Sequence, residues 1–145
     1  MFSKLIKSNS FVIFLFFFLY FSLIFGFYIN ENLNFGSYND WIGTNYPPIK
    51  GFASDFKKSF LNYEDFKHRH SPVYLIFLSF FYKLGFSGDL VRLLHLHLSL
   101  FLIYYFYKCL RLKFNKINNN YLLVLSFVIF LSPTFRSLAI WPDTR

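Results

Sequence analysis

FVIFLFFFLYFSLIFGFYI, residues Phe11 to Ile29, contains no charge and no proline. Coiled as a helix at about 1.5 Å per residue, it comes close to the roughly 30 Å of a bilayer core. It is long for a signal peptide, and its exit, FGFYIN, lacks a small-x-small cleavage pattern, so it reads as a retained membrane span. Lys4 and Lys7 precede it, and Glu31 and Asn32 follow it. The positive flank places the N-terminus in the cytoplasm and the segment that follows Ile29 on the outer face.

The rest of the composition agrees. The chain of 145 residues is 55% hydrophobic and only 15% charged, outside the ordinary globular range. Phe, Tyr, Ile, Asn and Lys are abundant together, as an AT-rich coding sequence favours, so the positions of the aromatics inform more than their number. The net charge of +8 sits in short clusters beside apolar runs. That is how membrane flanks are built, and it argues against nucleic acid as a partner. Cys109 is the only cysteine, so no intrachain disulfide exists. It lies in an apolar run and reads as a small packed hydrophobe.

Downstream of the first span, Asn30 to Ser71 holds five of the seven acidic residues: Glu31, Asp40, Asp55, Glu64 and Asp65. From Gly36 to Gly51, glycine, asparagine and Tyr46-Pro47-Pro48 predict ordered loop of extended or polyproline geometry. Trp41 and Tyr46 suit the headgroup level. Phe52, Phe56, Phe60 and Tyr63 then recur at helical spacing against Lys57, Lys58, Asn62 and Glu64, which predicts an amphipathic helix over about 54–66. A second apolar helix, about 72–85, is too short to span and reads as interfacial. With that helix on the outer surface, the cluster Lys108, Arg111, Lys113 and Lys116 falls in the cytoplasm, as the positive-inside bias requires.

Spans are therefore expected at about 11–29, 93–110 and 121–140, with an outer loop over about 30–92. The fold class is all-α: a polytopic membrane protein with three transmembrane helices and outer-face juxtamembrane helices. It forms a single membrane unit over 1–145, in the inner (cytoplasmic) membrane. His95 and His97 stand two apart, on different faces of a helix, and so read as structural or interfacial rather than as a metal pair. Pro133 weakens the third helix, and Pro142 disfavours helix at Trp141. A chain with three spans that closes on Trp141-Pro142-Asp143-Thr144-Arg145 reads as the opening part of a larger protein.

The order of these features resembles the start of membrane glycosyltransferases of the C-type fold, such as the protein mannosyltransferases and the aminoarabinose transferases. The patches that carry the resemblance are the early Asp40, His70-Ser71-Pro72 opening an apolar helix, and Arg136 with Trp141-Pro142-Asp143. Two features depart from the pattern: Ser71 stands in place of a proline, and Trp41 stands where many members have a second acidic residue. The resemblance implies inverting transfer of a sugar from a polyprenyl-phosphate carrier, a lipid-linked donor held in membrane lipid, to an outer-face acceptor. A carboxylate must then take the acceptor's hydroxyl proton, and Asp40 is the catalytic candidate. Arg69, His70 and Arg136 are the candidates for the departing phosphate and the acceptor. Asp143 is the second carboxylate, positioned to hold one of those cations or to help bind a divalent metal in members that use one.

The residues themselves leave alternatives open. Asp40 after Asn39 also fits an Asx turn. Arg69 also fits pairing with Glu64 or Asp65, or with headgroups, and Asp143 beside Arg145 fits an exposed flank. Arg136, inside the apolar end of a span, requires a partner or a polar cavity. A non-enzymatic membrane subunit or scaffold is the alternative function.

Overall fold

The computed structural model describes residues 6, 8–32, 35–68 and 71–142, and among them every regular element is helical. The elements in chain order are α1 (Asn9–Tyr28), α2 (Phe35–Asp40), a π-helical turn (Trp41–Asn45), α3 (Tyr46–Ser54) and α4 (Phe56–Leu61). A 3₁₀ turn (Tyr63–Phe66) precedes α5 (Val73–Lys83) and α6 (Gly88–Lys113). The last elements are α7 (Asn119–Ser126), a second 3₁₀ turn (Phe127–Leu131) and α8 (Pro133–Ile140). Two helices, α1 and α6, are long and apolar enough to cross a membrane. The segment from α7 through α8 is a third candidate if its bent halves are counted together.

Helix α1 runs toward one end of the bundle, α6 runs away from it, and α7 and α8 return. Asn120 bonds Asn9 at the far end, and Trp141 bonds the Glu31 carbonyl at the near end. Phe16 of α1 packs its ring on Phe127 at 5.7 Å and on Phe130 at 6.0 Å. Leu23, Leu96, Phe130 and Ile140 belong to the same buried cluster. Elements α2 to α5 gather at the near end, hereafter the loop end.

The third segment, expected as a span over about 121–140 with its helix weakened at Pro133, bends by 71° between Leu131 and Pro133. Pro133 has no N–H to continue the helix. Ser132 turns extended (φ −70°, ψ 119°) and its Oγ accepts from Phe135 N at 3.3 Å, starting a new helix.

The loop expected over Gly36–Gly51 is also corrected, because it is helical almost throughout. Pro47 and Pro48 occupy the first turn of α3, where a missing N–H costs nothing. Tyr46 is helical despite the proline after it (φ −71°, ψ −39°). Its ring stacks on Trp41 at 5.0 Å, and Ile49 and Phe52 bury completely as α3 packs along α5. Burial of that size outweighs the local preference for extended backbone. The helix expected over 54–66 is divided. Asp55 is extended and its Oδ1 accepts from Lys58 N at 2.9 Å, so it ends α3 and caps α4.

The stretch expected to form a helix over about 72–85 is helical from Val73 to Lys83, as α5. It stops at Gly85 (φ +94°), where Gly85 N bonds Tyr82 O and Phe86 N bonds Phe81 O. Ser87 then caps α6, with Oγ accepting from Leu90 N at 3.3 Å. A glycine stop and a serine start within a few residues keep the two apolar helices from fusing.

In a Cys109→Ser background, cysteines placed at Asn62 and Asn118 should be labelled from opposite sides of the membrane. Labelling from one side would contradict this arrangement.

Candidate functional site

The site begins where α1 ends. Asn30 adopts left-handed backbone (φ +56°), with Asn30 N bonded to Phe27 O at 3.1 Å and Glu31 N to Gly26 O at 2.7 Å. This is a Schellman turn with asparagine in place of glycine. It aims two side chains back at the bundle. The Glu31 carboxylate accepts from Arg136 Nε at 2.6 Å and from Arg136 Nη2 at 2.5 Å, a two-pronged pair. Arg136 Nη1 and Nη2 also donate to Ser22 Oγ and Ser22 O. Both charged side chains are only 13% exposed. A Cβ on Gly26 would meet the ends of the Glu31 and Arg136 side chains, so the pair in this geometry uses the space left by the glycine.

Asn30 points the other way. Its Oδ1 accepts from Arg92 Nη1 at 3.2 Å and from Nη2 at 3.1 Å. Arg92 is 5% exposed, and its guanidinium lies 3.6 Å above the Trp141 ring and 4.8 Å from the Phe27 ring. Nη1 also donates to Asp89 Oδ1 at 3.0 Å, and Nε donates to Ile140 O at 3.3 Å. One Nη2–H is left without an acceptor among the described residues.

Arg92 forms part of the wall of a cleft of about 490 Å³ at the loop end, together with Asn30, Asn32, Tyr38, Trp41, Ile42, Asp89 and Trp141. Tyr38 meets Trp141 edge to face at 4.8 Å. Among the described residues, the Oδ1 of Asn32 and the Oγ of Ser37 in α2 are buried with no hydrogen-bond partner. Such atoms are rare in folded proteins. The cleft wall carries a guanidinium N–H with no acceptor among the described residues, between aromatic side chains.

The sequence-predicted residues fall in different places. Asp40 ends α2, half-buried, and its carbonyl accepts from Thr44 Oγ1 at 2.7 Å. It lies between Tyr38 and Trp41 in the chain but is not itself in the cleft wall. Arg136 lies at the same end of the bundle, and its partner is Glu31. Arg69, His70 and Asp143 lie outside the described residues, so their relation to the cleft is not drawn. Among the described residues no group of three or more His, Cys, Asp or Glu side chains stands together as metal ligands, and no step is derived through a metal.

Sequence reasoning missed Glu31, Asn30 and Arg92. Arg92 had a readable signal: a charge one turn into an apolar helix, with Asp89 three residues before it on the same face. The pairing of Glu31 with Arg136 had none, because nothing local joins residues that far apart.

The histidines hold elements together. His97 bonds the Leu93 carbonyl through Nδ1 at 2.7 Å, so Nε2 accepts from Tyr20 of α1 at 2.8 Å. His95 bonds Leu138 O through Nε2 at 2.6 Å, so Nδ1 accepts from Tyr74 of α5. As their spacing predicts, the two face different neighbours. At the loop end, Tyr63, His68 and Asn45 form a chain that ends on Pro142 O. His68 bonds Tyr63 and Asn45 at 2.7 Å each, and Asn45 Nδ2 donates to Pro142 O at 3.0 Å. Nearby, burial, the Tyr82 hydroxyl and Asp89 push the Tyr46 phenol up to about 12, so it serves as a neutral packing group.

No family model matches this chain, and neither a curated protein nor a solved structure matches it.

Glu31→Ala should lower stability by about 3 kcal/mol, because it leaves a buried guanidinium unpaired. Gly26→Ala should be destabilising as well, whereas Gly43→Ala, which meets nothing within 4 Å, should be neutral. A Glu31→Leu/Arg136→Met double variant should cost less than Glu31→Ala alone. Thermal unfolding in detergent reads all four.

Proposed function

We propose that this chain is the N-terminal part of a membrane glycosyltransferase of the C-type fold. In this reading it spans the inner membrane three times with its N-terminus in the cytoplasm, and the loop end lies on the outer face. It transfers a sugar from a polyprenyl-phosphate carrier to an acceptor there, with inversion. The observation that carries this reading is the loop-end cleft. It has aromatic walls, two side-chain amides and a guanidinium with an N–H to spare. The exposed Tyr38 ring, beside polar side chains that can pair with hydroxyls, suits a sugar better than an ion or an acyl chain.

The chemistry follows from the balance of the reaction. The acceptor oxygen bonds to the anomeric carbon as the bond from that carbon to the lipid phosphate breaks, and the electron pair leaves with the phosphate. Asp40 takes the proton from the acceptor hydroxyl. Arg69 and His70 are the groups proposed to meet the phosphate. Arg136, held by Glu31, fixes the end of α1 against α8, and Arg92 supplies the cation within the cleft.

In membranes containing the full-length protein, Asp40→Asn should lower sugar transfer by about 10² to 10⁴-fold, the usual worth of a general base. Insertion and accumulation should be normal. Transfer at the wild-type rate would sink the assignment. A second reading, a non-enzymatic subunit or scaffold, is favoured by α4, where Phe56 and Phe60 stack at 5.9 Å and remain 49% and 52% exposed. Under that reading Asp40 is dispensable, and Phe56→Ala/Phe60→Ala disrupts assembly.

A further inference from the structure

Helix α6 is longer than the bilayer needs. Its 26 residues extend about 39 Å against a core of roughly 30 Å. The surplus at its C-terminal end carries Lys108, Arg111 and Lys113, and the turn that follows adds Lys116, all of them exposed. No acidic residue occurs between Leu90 and Pro142 to balance them. Lysines and arginines in the last turn of a helix complement its dipole. That account reaches Arg111 and Lys113 and leaves Lys116 aside.

It also leaves unexplained what lies among the cations. Leu112 is 84% exposed, Ile117 46% and Phe114 38%. The Nζ of Lys113 sits 5.6 Å from the Phe114 ring, and that of Lys108 sits 5.5 Å from the Tyr104 ring. Helix α7 starts from the same turn, capped by Asn118, and presents the positive end of its dipole there. A soluble anion would account for the charges alone. Cations interleaved with exposed apolar side chains, at the end of a membrane-length helix, fit a surface that is anionic outside and apolar just beneath.

We propose that the α6–α7 turn seats the headgroups of anionic phospholipids in the leaflet from which it emerges. Lys108, Arg111, Lys113 and Lys116 contact the headgroups, and the exposed Leu112, Phe114 and Ile117 pack among them at the interface. The proposal is independent of any sugar chemistry at the opposite end.

The test uses the full chain reconstituted with equal amounts of phosphatidylglycerol and phosphatidylcholine, with the retained lipid identified by mass spectrometry. Phosphatidylcholine carries a phosphate without net charge and so controls for phosphate binding alone. The wild-type chain should retain phosphatidylglycerol several-fold in excess. In a variant combining Lys108→Gln, Arg111→Gln, Lys113→Gln and Lys116→Gln, the ratio should fall to that of the mixture. A control combining Lys50→Gln, Lys57→Gln, Lys58→Gln and Lys83→Gln should behave as wild type. If the first variant does not insert, the wild-type chain decides by itself, because its preference should fall steeply with added salt. A wild-type chain with no preference, a preference indifferent to salt, or one that survives the four changes would overturn the proposal.

Discussion

A carboxylate and a guanidinium buried together at the end of an apolar helix set the terms for the rest of this structure. Charges that deep are tolerated only as a well-made pair. Glu31 and Arg136 meet that condition with two short hydrogen bonds and further bonds to Ser22. Satisfying them fixes much else. Gly26 leaves the space that the pair uses, Asn30 must turn left-handed, and the chain after Pro133 must bend back toward α1. Trp141, whose Nε1 donates to the Glu31 carbonyl at 2.9 Å, then lies across Arg92 and forms a wall of the cleft.

Much of the helical framework was legible in the sequence, because it depends on local patterns that composition records. The first span was readable from an uncharged run, and the short helix before Gly85 from its length. The stop at Gly85 and the start at Ser87 are chemical signals within a few residues of one another. The third candidate span was half legible. Pro133 announced a weak helix, but a bend of 71° depends on where α8 finds its neighbours. The region around Tyr46-Pro47-Pro48 was misread because the local rule was applied where burial decides. Ile49 and Phe52 gain more from packing on α5 than the backbone loses by coiling.

The candidate site was legible only in type. An early acidic residue, a basic residue at the end of a span and a proline after a tryptophan are visible in sequence. The contacts among them are not, and the structure gives Arg136 to Glu31 and makes Arg92 the cation of the cleft. The tyrosine and histidine pairs teach the same lesson. Two histidines two apart on one helix could be denied a common metal by geometry, yet only the fold shows that one reaches α1 and the other α5 and α8.

Pairing across 105 residues also sets an order in time. Chains emerge from the ribosome N-terminus first, at about 5–20 residues per second. Glu31 therefore leaves the ribosome roughly 5–20 seconds before Arg136. Throughout that interval the carboxylate lacks its Arg136 partner and stays hydrated. The bonds that tie the end of α1 to α8, and the Trp141 wall of the cleft, form only once α8 and the residues after it have arrived.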